Sequence, residues 1–368
     1  MKRKLSLVLA VALMLSGCGL DEMRDAISEK VDEKIEEHSI EKSEYTQEQV
    51  NAKIYNELAE CKRKIVFDGV VSTEMVQNAV YGARYDRPDI FWTGDFTVST
   101  DYSTTTLECD SVNDLDEKAL AKKKKDLDKA LDKVVKEVSG QGSAFDDLLA
   151  LHDKLIEICD YDYSAANTSD PNSIGFAGSS YGCLVEHKAV CEGYAQAFSL
   201  AARKMGYECG IVCGVARNEK HAWNYVKIDG KYYWLDVTWD ENATENTTGY
   251  APMHKFFLLD DSRLMKGRTL EGDVPFVPQC DSMDENYYVK NGLYLESYSF
   301  EQVNELMNAH ADEGGIDIMF ADKESYEAAL DDLMKNGSIW NADVMQYRTD
   351  NNAPYFKDDE LYIITVTL

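Results

Sequence analysis

Three residues able to act together on an amide bond stand within one stretch of the chain, Cys191, His221 and Asp236. A thiolate attacks a carbonyl, an imidazole carries the proton, and a carboxylate holds that imidazole in one tautomer. The segment from Ala189 reads AVCEGYAQAFSLAARKMGY, in which Ala195, Phe198, Leu200, Ala201 and Ala202 form an apolar helical face and Gly206 ends the helix. Cys191 therefore falls in the first turn. There the unpaired backbone N–H groups and the positive end of the helix dipole favour thiolate over thiol. Gly193 lets the same helix pack closely. Alone, such a cysteine is more often a small buried hydrophobe, so its partners decide the reading.

Those partners lie on HAWNYVKI and KYYWLDVTW, two alternating runs joined by Asp229-Gly230. An Asp-Gly step between alternating runs signals a two-residue hairpin. In that register His221 faces Thr238 and Asp236 faces Trp223, so His221 and Asp236 are diagonal neighbours. Diagonal residues lie roughly 7–8 Å apart, a gap their side chains can close with a hydrogen bond. The period of two puts Ala222, Val226, Ile228, Tyr233, Leu235 and Val237 on a core face, with Asn224 as its polar exception. His221, Trp223, Tyr225, Trp234 and Asp236 take the other face, a polar and aromatic wall against which the cysteine helix is expected to dock.

The segments AVCEGYAQAF and HAWNYVKIDGKYYWLDVTWD, with the spacing between them, resemble the core of the transglutaminase-like superfamily. RPDIFW and LLALHDKLIEICDYDY resemble segments of bacterial extracellular members carrying this domain. The specific likeness covers about residues 143 to 260. It implies an α+β fold with a papain- or transglutaminase-like core, in which a helix-borne cysteine packs on an antiparallel sheet. It also implies Cys191 as nucleophile, His221 as base and Asp236 as orienting acid, with a thioester intermediate. The Cys191 backbone N–H is the natural oxyanion donor, and Tyr181 is a candidate for the second. The superfamily includes peptidases, crosslinking transglutaminases, deglycosylating amidases and members without known activity. A cysteine peptidase is the leading expectation; a crosslinking transglutaminase and a non-catalytic surface-binding lipoprotein are the alternatives. No cofactor or metal is expected. Cys191 with His221 lacks further zinc ligands at suitable spacing, and the CxxxC of Cys209 and Cys213 reads as strand packing.

The N-terminus carries Lys2, Arg3 and Lys4, an apolar run from Leu5 to Leu15, and then Leu15-Ser16-Gly17-Cys18. This is the pattern of a secretory leader, too short to be a stable membrane span. The last four residues resemble a bacterial lipobox, which implies lipidation at Cys18 and a place on the outer face of the cytoplasmic membrane. Losing residues 1–17 takes the formal charge of the 368-residue chain from −29 to −32. So acidic a surface disfavours nucleic acid and anionic lipid, leaving the lipid chain as the membrane contact and a peptide or protein, such as a cell-wall or surface protein, as the substrate. The spacing of the nine cysteines suggests no small disulfide framework.

The organisation expected is a leader (1–17), a charged spacer (18–43), a helical and strand region (44–142), the catalytic domain (143–284) and a small α+β module (285–368). In the third of these regions, helices are expected from Tyr45 and over Thr73 to Ala83, followed by a strand or hairpin from Phe96 to Leu107. A further helix carries the stripe Leu120, Leu127, Leu131, Val134 and Val138, with Lys122 to Lys125 on its solvated face. His152 is expected to be packed and His187 exposed. The last module reads as strands at Tyr287–Glu296, Ile316–Ala321, Ile339–Tyr347 and Leu361–Leu368, with helices at Phe300–Ala311 and Ser325–Lys335.

Overall fold

The computed structural model describes residues 9–13, 45–101, 103–168, 171–243, 254–270, 276–348 and 353–368. The fold is α+β with mainly antiparallel sheets, as expected. The chain packs as two compact units, Met1–Asn224 with Thr269–Val277, and Tyr225–Arg268 with Pro278–Leu368.

In the first unit a four-stranded sheet has the order β1-β3-β4-β2, all neighbours antiparallel. Its strands are β1 (Leu9–Leu13), β2 (Lys64–Asp68), β3 (Thr93–Thr100) and β4 (Thr104–Ser111). β1 falls inside the segment read as a leader; Cys18 and the spacer lie outside the described residues. The Phe96–Leu107 expectation resolves into the β3–β4 hairpin, where Asp101 accepts the N–H groups of Ser103 and Thr104.

Helices Gln47–Ala59 and Thr73–Asp86 accompany this sheet. The first opens on a Thr46 capping box with Gln49. The second stops two residues before Pro88, which disfavours helical backbone in the residue before it. Helix Glu117–Val138 buries the five expected residues of its stripe. Lys123 departs from the solvated face: its ammonium lies 4.6 and 4.5 Å from the Phe176 and Tyr181 ring centres. Helix Ala144–Ile158 buries His152, while His187 is exposed.

A short parallel pair, β5 (Asp160–Tyr161) and β6 (Lys188–Ala189), precedes the helix Cys191–Lys204, called here the thiol helix. Then come β7 (Cys209–Ala216), β8 (Glu219–Ile228), β9 (Lys231–Leu235) and β10 (Arg268–Leu270), in the sheet order β10-β7-β8-β9. The division between the units falls within β8, after Asn224.

The second unit holds β11 (Tyr294–Leu295), β12 (Gly315–Phe320), β13 (Tyr355–Asp358) and β14 (Ile363–Thr367), in the order β11-β12-β14-β13. Two expected strands are corrected here. Ile339–Tyr347 forms two 3-10 turns, and Tyr287–Glu296 divides into a helical turn at Tyr287–Lys290 and the short β11. Short apolar runs do not fix their own period, and packing chose helical turns in both places. None of the helices among the described residues is long and apolar enough to cross a membrane.

Candidate active site

Cys191 occupies the first position of the thiol helix, after Val190 as N-cap. Val190 is extended and donates its N–H to the Ala177 carbonyl at 2.9 Å, which fixes the entry of the chain into the helix. Gly193 explains how close that helix sits. A Cβ there would stand 2.4 Å from the Ala177 carbonyl oxygen and 2.8 Å from the Ala189 Cβ.

Both ends of the helix are held. Glu192 takes two hydrogen bonds from Arg84, through Nε and Nη2, in the planar fork geometry that a guanidinium shares with a carboxylate. At the other end Arg203 donates to three carbonyls, those of Cys209, Asp86 and Tyr85, at 2.7, 2.8 and 3.1 Å.

The face of β8 that meets the helix differs from the expectation. Cys191 packs against a buried cluster of Ala195, Ile211, Cys213 and Ala222, and Tyr85 joins it there. Asn224, on the same face of the strand as Ala222, donates through Nδ2 to the carbonyls of Ala195 at 2.9 Å and Gly210 at 3.0 Å. The helix thus docks on the Ala222 and Asn224 face. Small side chains allow the close approach, and the polar exception supplies the tie. Trp223 fills the opposite face, where a Cβ on Gly214 would stand 2.9 Å from its ring.

His221 is 8% exposed, next along the strand to Ala222, and its ring stacks on Trp223 with centroids 6.0 Å apart. Cys191 thereby packs on a cluster that includes Ala222, the residue after His221 in the strand, within the first unit. The Asp229-Gly230 turn forms as expected, with φ of 49° and 85°, the two positive values of a type I′ turn.

Asp236 belongs to the second unit, and its setting is not the one expected. β9 ends at Leu235, and Asp236 stands just before the helix Val237–Ala243, accepting the Trp239 N–H at 3.2 Å. Its other oxygen takes a 2.7 Å hydrogen bond from Arg268 Nη1. The Arg268 guanidinium lies 3.9 Å over the Trp239 ring. Arg268 went unnoticed in the sequence because it lies 32 residues downstream of Asp236 in no recognisable pattern. The aspartate cap was missed because Lys231–Trp239 was read as one alternating run, although Asp-Val-Thr-Trp-Asp-Glu places an N-cap residue before acidic helix positions.

Tyr181 is buried in an aromatic cluster, stacked on Phe91 at 5.0 Å, and its hydroxyl accepts from Lys123 Nζ at 3.2 Å. Cys209 and Cys213 are buried side chains of β7. The eight described cysteines form no disulfide with one another. Burial pushes the thiols of Cys109 and Cys209 up to about 12 and raises those of Cys61, Cys183 and Cys280 as well. Cys191 is partly exposed.

A cysteine opening a helix and packed on a cluster that includes the residue after a histidine coincides with a family match. Residues 132–238 match the model of the transglutaminase-like superfamily. Residues 132–238 are a transglutaminase-like domain. Among solved structures the chain is similar to one described as "Crystal structure of a TGase", at 17% identity and a TM-score of 0.29, covering 48% of this chain and 50% of that one. A second is a "Putative Cysteine Protease from Cytophaga hutchinsonii", at 19% identity and a TM-score of 0.25, covering 39% and 53%. A third, a "putative protease from Parabacteroides distasonis", shows 11% identity and a TM-score of 0.25, covering 37% and 29%. The chain thus spans about half the length of the first two structures and less of the third. No curated protein matches.

Proposed function

We propose that this transglutaminase-like domain is a thiol enzyme acting on peptide or protein amides, with Cys191 as nucleophile, His221 as its base and Asp236 as orienting acid. The observation that carries this reading is the place of Cys191 at the first turn of its helix, packed on a cluster that includes Ala222, the residue after His221. The Cys191 sulfur bonds the amide carbon, the carbon–nitrogen bond breaks, and His221 returns its proton to the leaving amine. Water then cleaves the thioester, releasing the acid and restoring the thiol. Hydrolysis is preferred to crosslinking because water is always present at the site in large excess.

Iodoacetamide labelling followed by mass spectrometry tests the nucleophile. Rapid modification at Cys191 that slows at least tenfold in His221→Ala supports the enzyme. A thiol equally inert in both proteins moves the reading to a binding lipoprotein. Peptide products from wild type and Cys191→Ala separate the chemistries, since crosslinked products without cleaved ones would replace the peptidase by a transglutaminase.

Export and lipidation at Cys18 belong to the same proposal and rest on the leader pattern. Cleavage before Cys18 would remove β1 and leave β3 as the edge of its sheet. Incorporation of labelled fatty acid that disappears in Cys18→Ala supports the anchor, and unlabelled protein in both cases removes it.

A further inference from the structure

A cavity of about 640 Å³ opens in the first unit beside the first turns of the thiol helix, and Glu192 and Gln196 of that helix line it. Gln196 is 5% exposed. Its Nε2 donates to Glu192 Oε1 at 3.1 Å, which fixes the orientation of the amide, and its Oε1 has no hydrogen-bond partner among the described residues. A buried acceptor left unsatisfied is costly, and a ligand that brings a donor recovers that cost.

The walls say what kind of donor. Asp95, Asp110 and Asp114 line the cavity with Glu192, and Arg84 is the basic residue among the lining. Arg84 is committed to Glu192 by two hydrogen bonds. Arg63 reaches Asp110 at 3.3 Å and Asp114 at 3.7 Å. Two arginines thus face three carboxylates, Glu192, Asp110 and Asp114, so negative charge remains in excess among these pairs. An anion would meet those carboxylates, and an apolar group would leave the Gln196 oxygen unpaired. Ile90, Phe91 and Ile174 supply apolar wall for an alkyl stem.

We propose that this cavity is a recognition subsite for a primary ammonium on an alkyl chain, the chemistry of a lysine side chain, and that it selects lysine-bearing peptides for the thiol site. The selection rests on the reading given under Proposed function; the binding does not. Occupancy places the ammonium against Gln196 Oε1 and the surrounding carboxylates, a few residues along the helix from Cys191. The subsite makes Gln196 a specificity residue rather than a catalytic one.

The test is calorimetry on the full chain carrying Cys191→Ala, titrated with N-acetyl-lysine methylamide, its Nε-acetylated form and the norleucine analogue. The lysine compound is expected to bind at least tenfold tighter than either analogue. Gln196→Leu should weaken it about tenfold, and Gln196→Glu should tighten it, while thermal melts show both variants folded. Equal binding of the three compounds overturns the proposal, as does affinity for the lysine compound unmoved in both variants. If Gln196→Leu does not fold, the opposite shift in Gln196→Glu still decides. Because Cys191 is absent from every arm, an inert thiol in the labelling experiment leaves this result standing, and failure here leaves the thiol reaction standing.

Discussion

Asp236 and Arg268 form an ion pair at 2.7 Å with each side chain only 1% exposed. Such a pair contributes modest net stability because both charges lose their water, yet breaking it strands a charge in the interior. Arg268→Met is therefore expected to destabilise the fold by about 3–5 kcal/mol. Urea unfolding followed by tryptophan fluorescence measures it, and a change under about 1 kcal/mol would show that the carboxylate has other compensation.

The buried thiols predict where alkylation goes. A thiol pushed up to about 12, as at Cys109 and Cys209, is thiolate in only about one molecule in ten thousand at pH 8. Native protein with limiting iodoacetamide should carry a single adduct on Cys191, absent in Cys191→Ala. Adducts distributed over the buried cysteines would instead report local opening of the fold.

Gly193 sets the depth of the thiol helix. Gly193→Ala places a Cβ against backbone that cannot yield, at 2.4 Å from the Ala177 carbonyl oxygen. The expected cost is about 1–3 kcal/mol in unfolding free energy, with slower Cys191 labelling because the first turn must shift. Full stability and wild-type labelling would show that the segment around Ala177 relaxes freely.

Tyr181→Phe separates packing from chemistry. The ring stacking on Phe91 survives this change, so folding should be retained and the reaction rate should fall less than about threefold. A loss of about 10²-fold at unchanged stability would make the hydroxyl an oxyanion donor after all.

Asp317 makes the stability of the second unit depend on pH. Burial pushes its carboxyl up to about 6 from 3.8, so the folded state holds the proton more tightly than the unfolded chain does. Its stabilising contribution is complete below about pH 4 and is lost as pH rises through about 6. Asp317→Asn should accordingly stabilise the protein at pH 8, by on the order of 3 kcal/mol at most, and leave it little changed at pH 4. Equal effects at both pH values would show that folding leaves the proton affinity of Asp317 unchanged.

Local signals carried much of the architecture. The helix stripe from Leu120 to Val138 and the Asp229-Gly230 turn were legible because each depends on residues close in sequence. The second unit was harder to read. Ile339–Tyr347 has strand-like residues but no period that packing was bound to honour. The choice of helix-facing side on β8 was also invisible, because alternation sorts residues onto two faces without naming what covers either. Arg268 and Arg84 escaped notice for the same reason: their partners are brought to them by the tertiary fold.

The ties on the thiol helix have a mechanical meaning. Asn224 grips a carbonyl near its start and Arg203 three carbonyls near its end, while Arg84 holds Glu192 from the side. A helix advances 1.5 Å per residue, so sliding by even one step would break these bonds together. The helix cannot serve as a piston. Cys191 is a fixed post, and any adjustment to different substrates must come from the segments that surround it.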